Sequence, residues 1–284
     1  MNAPTQRLAV PVTDELAIGA GRPLAVIAGP CVIESADLCF EVAGRLKELG
    51  ERHGLPVVFK CSFDKANRTS IDSYRGPGLQ EGLSVLAAVR DRFGMPLLTD
   101  VHEISQVGAV AEVVDILQIP AFLCRQTDLV VEVARSGRVV NIKKGQFLSP
   151  WEVKNVAHKA VQAGNERVVI TERGFSFGYR NLVADMRSIP IMQQDGLTVI
   201  FDATHSVQSP GGQGTSSGGD GWLAPTLARS AVAAGCDGLF LETHPDPGQA
   251  LSDGPNMIPL AQLDGLFRTV AALRRALEDT QIEE

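Results

Sequence analysis

Short apolar runs rich in Val, Ile and Leu recur along the chain, each ending in a polar or glycine-containing turn and followed by an amphipathic stretch. They occupy residues 24–28, 56–59, 96–99, 116–119, 139–142, 168–171, 199–201 and 238–241. The runs are continuous rather than alternating, which suits parallel strands buried on both faces. Helical candidates between them include 37–51, 78–92, 150–163 and 225–234. Eight strand–helix units in 284 residues predict an α/β fold, a closed (β/α)8 TIM barrel forming one domain over 1–284. A doubly wound open sheet is the structural alternative. Before Leu24, two apolar runs flank Thr13 and Asp14 and predict a short hairpin that plugs one barrel end.

Two segments break the rhythm. Residues 64–78 form a long polar stretch, and 206–221 are rich in Gly and Ser. Long loops in compact domains are usually functional or disordered. Each follows a strand, so both belong on the C-terminal face, where barrel enzymes build their sites.

Composition narrows the function classes. With 26 basic and 33 acidic residues the net charge is −7, and no basic tract runs along the chain, so nucleic-acid binding is not expected. Aromatic residues are 5%, too few for a base-stacking platform. No apolar stretch reaches membrane-spanning length and the N-terminus lacks a signal-peptide pattern, so a cytoplasmic protein without a membrane partner is expected. Five scattered cysteines make a poor disulfide framework.

Nearly every strand end delivers a polar group. They are Cys31, Lys60 and Ser62, Asp100 and His102, Gln118, Lys143 and Gln146, Glu172 and Arg173, His205, and Glu242 with His244. For any one of them, a polar residue simply beginning a loop is an even alternative. Lys60, Lys65, Arg68, Lys143 and Arg173 are converging cations suited to phosphate and carboxylate. Lys144 reads as a solvated surface lysine. Cys31, His205, Glu242 and Asp253 come from the first, seventh and eighth units, which are neighbours in a closed barrel. That mixed set suits zinc or iron(II) better than magnesium, although the spacing forms no compact metal motif and a lone cysteine is usually a small buried hydrophobe. Cys39, Cys61, Cys124 and Cys236 take that bland reading, and Ser149 reads as a helix cap.

The strings FKCSFDKANRTSIDSYRGPGL (59–79), TDVHE (99–103), LQIPAFLCRQTDL (117–129), NIKKGQF (141–147), FDATHSVQ (201–208) and LETHPDP (241–247) resemble the signature segments of 3-deoxy-D-manno-octulosonate 8-phosphate synthases. The likeness runs from about residue 25 to 260. It implies a barrel, a homotetramer, and condensation of phosphoenolpyruvate with D-arabinose 5-phosphate for lipopolysaccharide synthesis. Cys31 in AGPCVIES and Ser-Asp-Gly in LSDGPNM resemble the metal-binding kind, which implies Cys31, His205, Glu242 and Asp253 as ligands of zinc or iron(II), with manganese or cobalt compatible. By the same resemblance Lys143 and Arg173 hold the enol phosphate, and Lys60, Ser62 and Lys65 lie near its carboxylate. Gln118, Ala121 and Gln146 line that pocket. Asn67, Arg68 and Thr69 take the aldose phosphate. Asp100, His102, His205 and Lys65 are the catalytic candidates, the first three for proton handling. Thr69 stands where many relatives have Ser, and Asp220 where they often carry Arg, which reverses charge on the 206–221 loop expected to close as a lid. The nearest alternative is 3-deoxy-D-arabino-heptulosonate 7-phosphate synthase, whose loop usually reads Lys-Pro-Arg-Thr. Here it reads Lys65-Ala66-Asn67-Arg68-Thr69, and the extra Asn suits a longer acceptor. A catalytically silent barrel with a structural metal is the alternative from another class.

Overall fold

A computed structural model describes residues 7–179, 181–209 and 218–279. The eight predicted runs form β3 (Ala25–Gly29), β4 (Val57–Lys60), β5 (Leu97–Asp100), β6 (Ile116–Ile119), β7 (Val139–Lys143), β8 (Val168–Glu172), β11 (Thr198–Asp202) and β14 (Gly238–His244). All pair in parallel in that order, and β14 pairs with both β11 and β3, closing the barrel. The closed (β/α)8 barrel is therefore the architecture, not the open sheet.

The helices are α1 (Ala36–His53), α2 (Leu79–Phe93), α3 (Ile104–Val113), α4 (Thr127–Arg135), α5 (Val153–Gln162), α6 (Ser188–Gln194), α7 (Ala224–Ala233) and α8 (Leu263–Asp279). Local chemistry fixes their ends. The Ser35 hydroxyl accepts from the Leu38 amide to start α1, and Gly54 stops it with a left-handed φ of 68°. α5 begins three residues later than its periodicity predicts. Ser149 instead binds Glu152 through both its amide (2.9 Å) and its hydroxyl (2.7 Å), forming a turn ahead of the helix.

Side chains alternate across each strand, which creates two cores. The outward set packs against the helices. The inward set, including Ile27, Val58, Leu98, Ile116, Val139, Val169, Ile200 and Phe240, fills the barrel. β1 (Val10–Pro11) and β2 (Ala17–Ile18) pair antiparallel as the predicted hairpin. Their Val10, Val12, Leu16 and Ile18 join the inward cluster at the N-terminal ends of the strands, so the hairpin closes that end. Gly29 lets β3 approach β4, since a Cβ there would sit 2.0 Å from the Lys60 carbonyl oxygen.

Short pairs decorate the opposite face: β9 (Phe175–Ser176) with β10 (Leu182–Val183), β12 (Gln208–Ser209) with β13 (Gly218–Gly219), and β15 (Ile258–Pro259) alongside β14. The β12–β13 pair flanks the Gly/Ser-rich segment, whose residues 210–217, with the lid expected there, lie outside the described residues. Among the described residues no helix is long and apolar enough to cross a membrane.

Ile18 is wholly buried against the barrel interior. Ile18→Asp leaves an unpaired carboxylate there and is expected to cost roughly 3 kcal/mol or more in urea denaturation. A loss under about 1 kcal/mol, the range of surface changes, would contradict the plug.

Candidate functional site at the C-terminal end of the barrel

Continuing the inward alternation by one step explains the site. Two residues beyond Val58, Leu98, Ile116, Ile200 and Phe240 stand Lys60, Asp100, Gln118, Asp202 and Glu242. On β7 and β8 the same parity gives Lys143 and Arg173. The barrel thus changes from an apolar floor to a layer of buried polar groups over one residue pair per strand. A cavity of about 630 Å³ opens above it. Lys60, Lys65, Asn67, Arg68, Thr69, Asp100, His102, Gln118, Ala121, Lys143, Gln146, Arg173, His205, Glu242 and Asp253 line it. Ser62 stands behind the wall and donates its hydroxyl to Asp100. Cys31 stands behind Asp253.

On one side lies a buried pair. The Lys60 ammonium donates to Glu242 Oε1 at 2.7 Å and to the Cys31 carbonyl at 2.8 Å, and Lys65 approaches the same carboxylate at 3.9 Å. Burial opposes ionisation of Glu242, but Lys60, His205 and Lys65 outweigh it and hold the carboxyl well below its usual range. Its Oε2 has no hydrogen-bond partner among the described residues.

That free oxygen faces the candidate metal ligands. Cys31, Glu242 and Asp253 offer atoms all within 4.8 Å of one another. His205 Nε2 is 3.6 Å from Glu242 and 4.0 Å from Asp253, while Asp202 holds the Nδ1 side at 2.7 Å. A carboxylate on one imidazole nitrogen aims the other at a metal. Asp253 has a φ of 51°, the only positive value outside glycine among the described residues. Such backbone persists only where its surroundings dictate it, and here it turns the carboxylate toward Cys31 Sγ, 3.2 Å away. Burial, then the Glu242 charge, pushes the Cys31 thiol far up. A divalent cation would reverse that by stabilising the thiolate. The four donors therefore fit a zinc- or iron-type ion: their types match, and Glu242 Oε2 is unspent.

On the other side lie the cations. Lys143 pairs with Asp202 and stands 3.7 Å from the Phe240 ring centre. The Arg173 guanidinium donates to the His205 carbonyl at 3.1 Å and to Gln208 at 3.0 Å, but its buried Nε has no partner among the described residues. Burial lowers the pKa of both Lys143 and Arg173, so a bound anion would relieve a desolvation cost. Gln146 Oε1 is also buried and has no partner among the described residues. The 64–78 loop closes the wall above: Arg68 donates to the Tyr74 carbonyl at 2.9 Å and to the Leu251 carbonyl at 3.3 Å, while Asn67 and Thr69 remain exposed.

Lys144 departs from the surface position expected of it. It is wholly buried beside Glu172, because the residue after inward-facing Lys143 must point outward into the layer beneath the loops. Sequence reasoning also passed over Asp202. Its place three residues before His205, at a strand end, was the available signal. Cys39, Cys61, Cys124 and Cys236 are free and buried, as expected. Asp220 is exposed, with its amide bound to the Val207 carbonyl at 3.0 Å.

A profile described as the DAHP synthetase I family matches residues 7–279. Among similar curated proteins, the 2-dehydro-3-deoxyphosphooctonate aldolase of Bradyrhizobium sp. is 58% identical over 273 residues, covering 96% of this chain and 95% of that protein. Proteins of the same name from Cyanothece sp. and Trichlorobacter lovleyi are 56% and 57% identical, covering 94% and 92% of this chain and 98% of each relative.

Asp100 Oδ2 is 2.9 Å from His102 Nε2. Burial would neutralise both groups. The hydrogen bond and mutual charge prevail, lowering the carboxyl and raising the imidazole. The raised histidine adds stability that is complete below its unfolded pKa and lost as pH rises through the folded one. The lowered carboxyl adds stability present above its unfolded pKa and lost as pH falls through the folded one. In an NMR titration His102 is expected to hold its proton above the ordinary histidine range, and Asp100→Asn to return the midpoint toward that range. An unmoved midpoint would contradict the pairing.

Proposed function

The chain belongs to the DAHP synthetase I family and to its 2-dehydro-3-deoxyphosphooctonate aldolase branch, and we propose that it condenses phosphoenolpyruvate with D-arabinose 5-phosphate and water. The products are 3-deoxy-D-manno-octulosonate 8-phosphate and inorganic phosphate, and the pathway served is lipopolysaccharide synthesis. The observation that carries this reading is one cavity with two unspent ends: the buried Arg173 Nε beside Lys143, and Glu242 Oε2 among Cys31, His205 and Asp253.

In this reading Lys143 and Arg173 grip the enol phosphate, and Lys60, Lys65 and Ser62 set the carboxylate end, with Gln118, Ala121 and Gln146 along the floor and wall. Two anionic substrates repel each other. The cations offset that repulsion and hold C3 of the enol against the aldehyde carbon, which removes much of the entropic barrier to a bimolecular step. C3 forms the new carbon–carbon bond as the aldehyde π pair moves to its oxygen. That alkoxide takes a proton. Water adds to the cationic C2 and loses its own proton, and the resulting hemiketal phosphate breaks its C2–O bond to release phosphate. His102, a residue of the cavity lining, is our candidate to hold a proton for the alkoxide: Asp100 occupies its Nε2, and its buried Nδ1 has no hydrogen-bond partner among the described residues. Asn67, Arg68 and Thr69 take the aldose phosphate at the rim. A divalent ion held by Cys31, His205, Glu242 and Asp253, zinc or iron(II) by donor type and with manganese or cobalt compatible, supplies Lewis acidity and orients the aldose and water when bound. The reading includes a cytoplasmic homotetramer.

Phosphate release from phosphoenolpyruvate is expected with arabinose 5-phosphate and not with erythrose 4-phosphate. It should fall to background after chelation and return with added zinc or iron(II). Erythrose 4-phosphate as the productive acceptor would transfer the assignment to the heptulosonate reaction. Release with neither sugar in the metal-loaded protein would favour the silent barrel. Full activity in protein shown by elemental analysis to be metal-free would remove the ion from the chemistry.

A further inference from the structure

Two wholly buried charged groups lie outside the cavity and take no part in the steps above. Lys144 and Glu172 are each 0% exposed and 3.6 Å apart, at the ends of β7 and β8. Their chain neighbours Lys143 and Arg173 point inward to the cavity. Alternation therefore turns Lys144 and Glu172 outward, back to back with the phosphate-binding pair.

The contacts around them join two segments. The Lys144 ammonium donates to the carbonyls of Gly145, Leu148 and Gly174, each at 3.2 Å, and lies 3.7 Å from the Phe175 ring centre. Glu172 Oε1 accepts from the Gly174 amide at 2.6 Å, and Oε2 has no partner among the described residues. The Lys144 amide continues the β7–β8 ladder to the Thr171 carbonyl at 2.9 Å. One ammonium thus gathers the turn that carries Gln146 and the segment that leaves Arg173. A buried ion pair generally adds little stability over apolar residues of equal volume. Its consequence here is geometric, since any slippage between these strand ends changes the separation of Lys143 from Arg173.

We propose that the Lys144–Glu172 pair is a positioning clamp that fixes the spacing of Lys143 and Arg173 and so sets affinity for the phosphate of phosphoenolpyruvate. The identity of that ligand rests on the function proposed above. The clamp touches neither substrate, so its removal should act on one substrate's binding alone.

The test compares the wild type with Lys144→Met, Glu172→Gln and the double variant Lys144→Met/Glu172→Leu, which leaves no lone buried charge. Steady-state kinetics with both substrates are read beside Tm and calorimetric binding of phosphoenolpyruvate. The clamp predicts KM and Kd for phosphoenolpyruvate raised about tenfold or more, with KM for arabinose 5-phosphate within about twofold, in a double variant whose Tm lies within about 5 °C of wild type. Both KM values rising together, or neither changing in a folded variant, would overturn it. Failure of all three variants to fold would also overturn it, because the pair would then hold the barrel rather than the phosphate site. A wild type that turns over neither aldose defeats the proposed function, not the clamp. Calorimetry with inorganic phosphate then decides: binding weakened about tenfold in the variants supports the clamp, and unchanged binding overturns it.

Discussion

Lys60 and Glu242, 2.7 Å apart and each 1% exposed, state the constraint under which this barrel is built. A site for two anions needs several cations, and the strand ends of a closed barrel bury them. A charge taken out of water is tolerated when an opposite charge or a ring of dipoles replaces the solvent. Glu242 serves Lys60 and Lys65, Asp202 serves Lys143 and His205, and Asp100 serves Ser62 and His102. Three carboxylates thereby organise most of the polar layer. Glu242 Oε2 and Arg173 Nε are left without hydrogen-bond partners among the described residues, and those two atoms mark where a cation and an anion fit.

The apolar floor makes this possible. The hairpin and the inward layer from Ile27 to Phe240 fill the barrel beneath the polar layer with buried apolar side chains. Low local polarity strengthens each pair and makes each unpaired atom more costly. Electrostatic organisation at the top of the barrel therefore depends on hydrophobic packing at the bottom, and Phe240 joins the two, its ring centre 3.7 Å from the Lys143 ammonium.

Much of this is legible in the sequence. Continuous apolar runs gave eight strands and their order, because strands buried on both faces can contain little else. The hairpin around Thr13 was legible for a similar reason: short apolar runs before the first strand have few places to be buried. Strand ends pointed to Lys60, Asp100, Lys143, Arg173, His205 and Glu242 together. Their pairing was not legible. Whether Lys143 meets Asp202 or Glu242 depends on barrel closure and register, which no local pattern contains. Lys144 shows the limit most clearly. Two adjacent lysines look alike in sequence, yet strand parity sends one into the cavity and the other into a buried shell behind it. Parity could have said that they differ, but only the segment folding back at Gly174 and Phe175 shows that the outward side is covered. The candidate metal ligands were likewise a set of four residue types until the left-handed turn at Asp253 brought its carboxylate beside Cys31.

In the proposed function the cation-lined end and the metal-type donors jointly hold two substrates for carbon–carbon bond formation. The most direct measurement is carbon NMR of the product made from phosphoenolpyruvate labelled with carbon-13 at C3 and arabinose 5-phosphate labelled at C1. A one-bond coupling between the two labels is expected, appearing in step with free phosphate. Phosphate released while the enol label collects in pyruvate, uncoupled to the sugar carbon, would show hydrolysis in place of condensation and would contradict it.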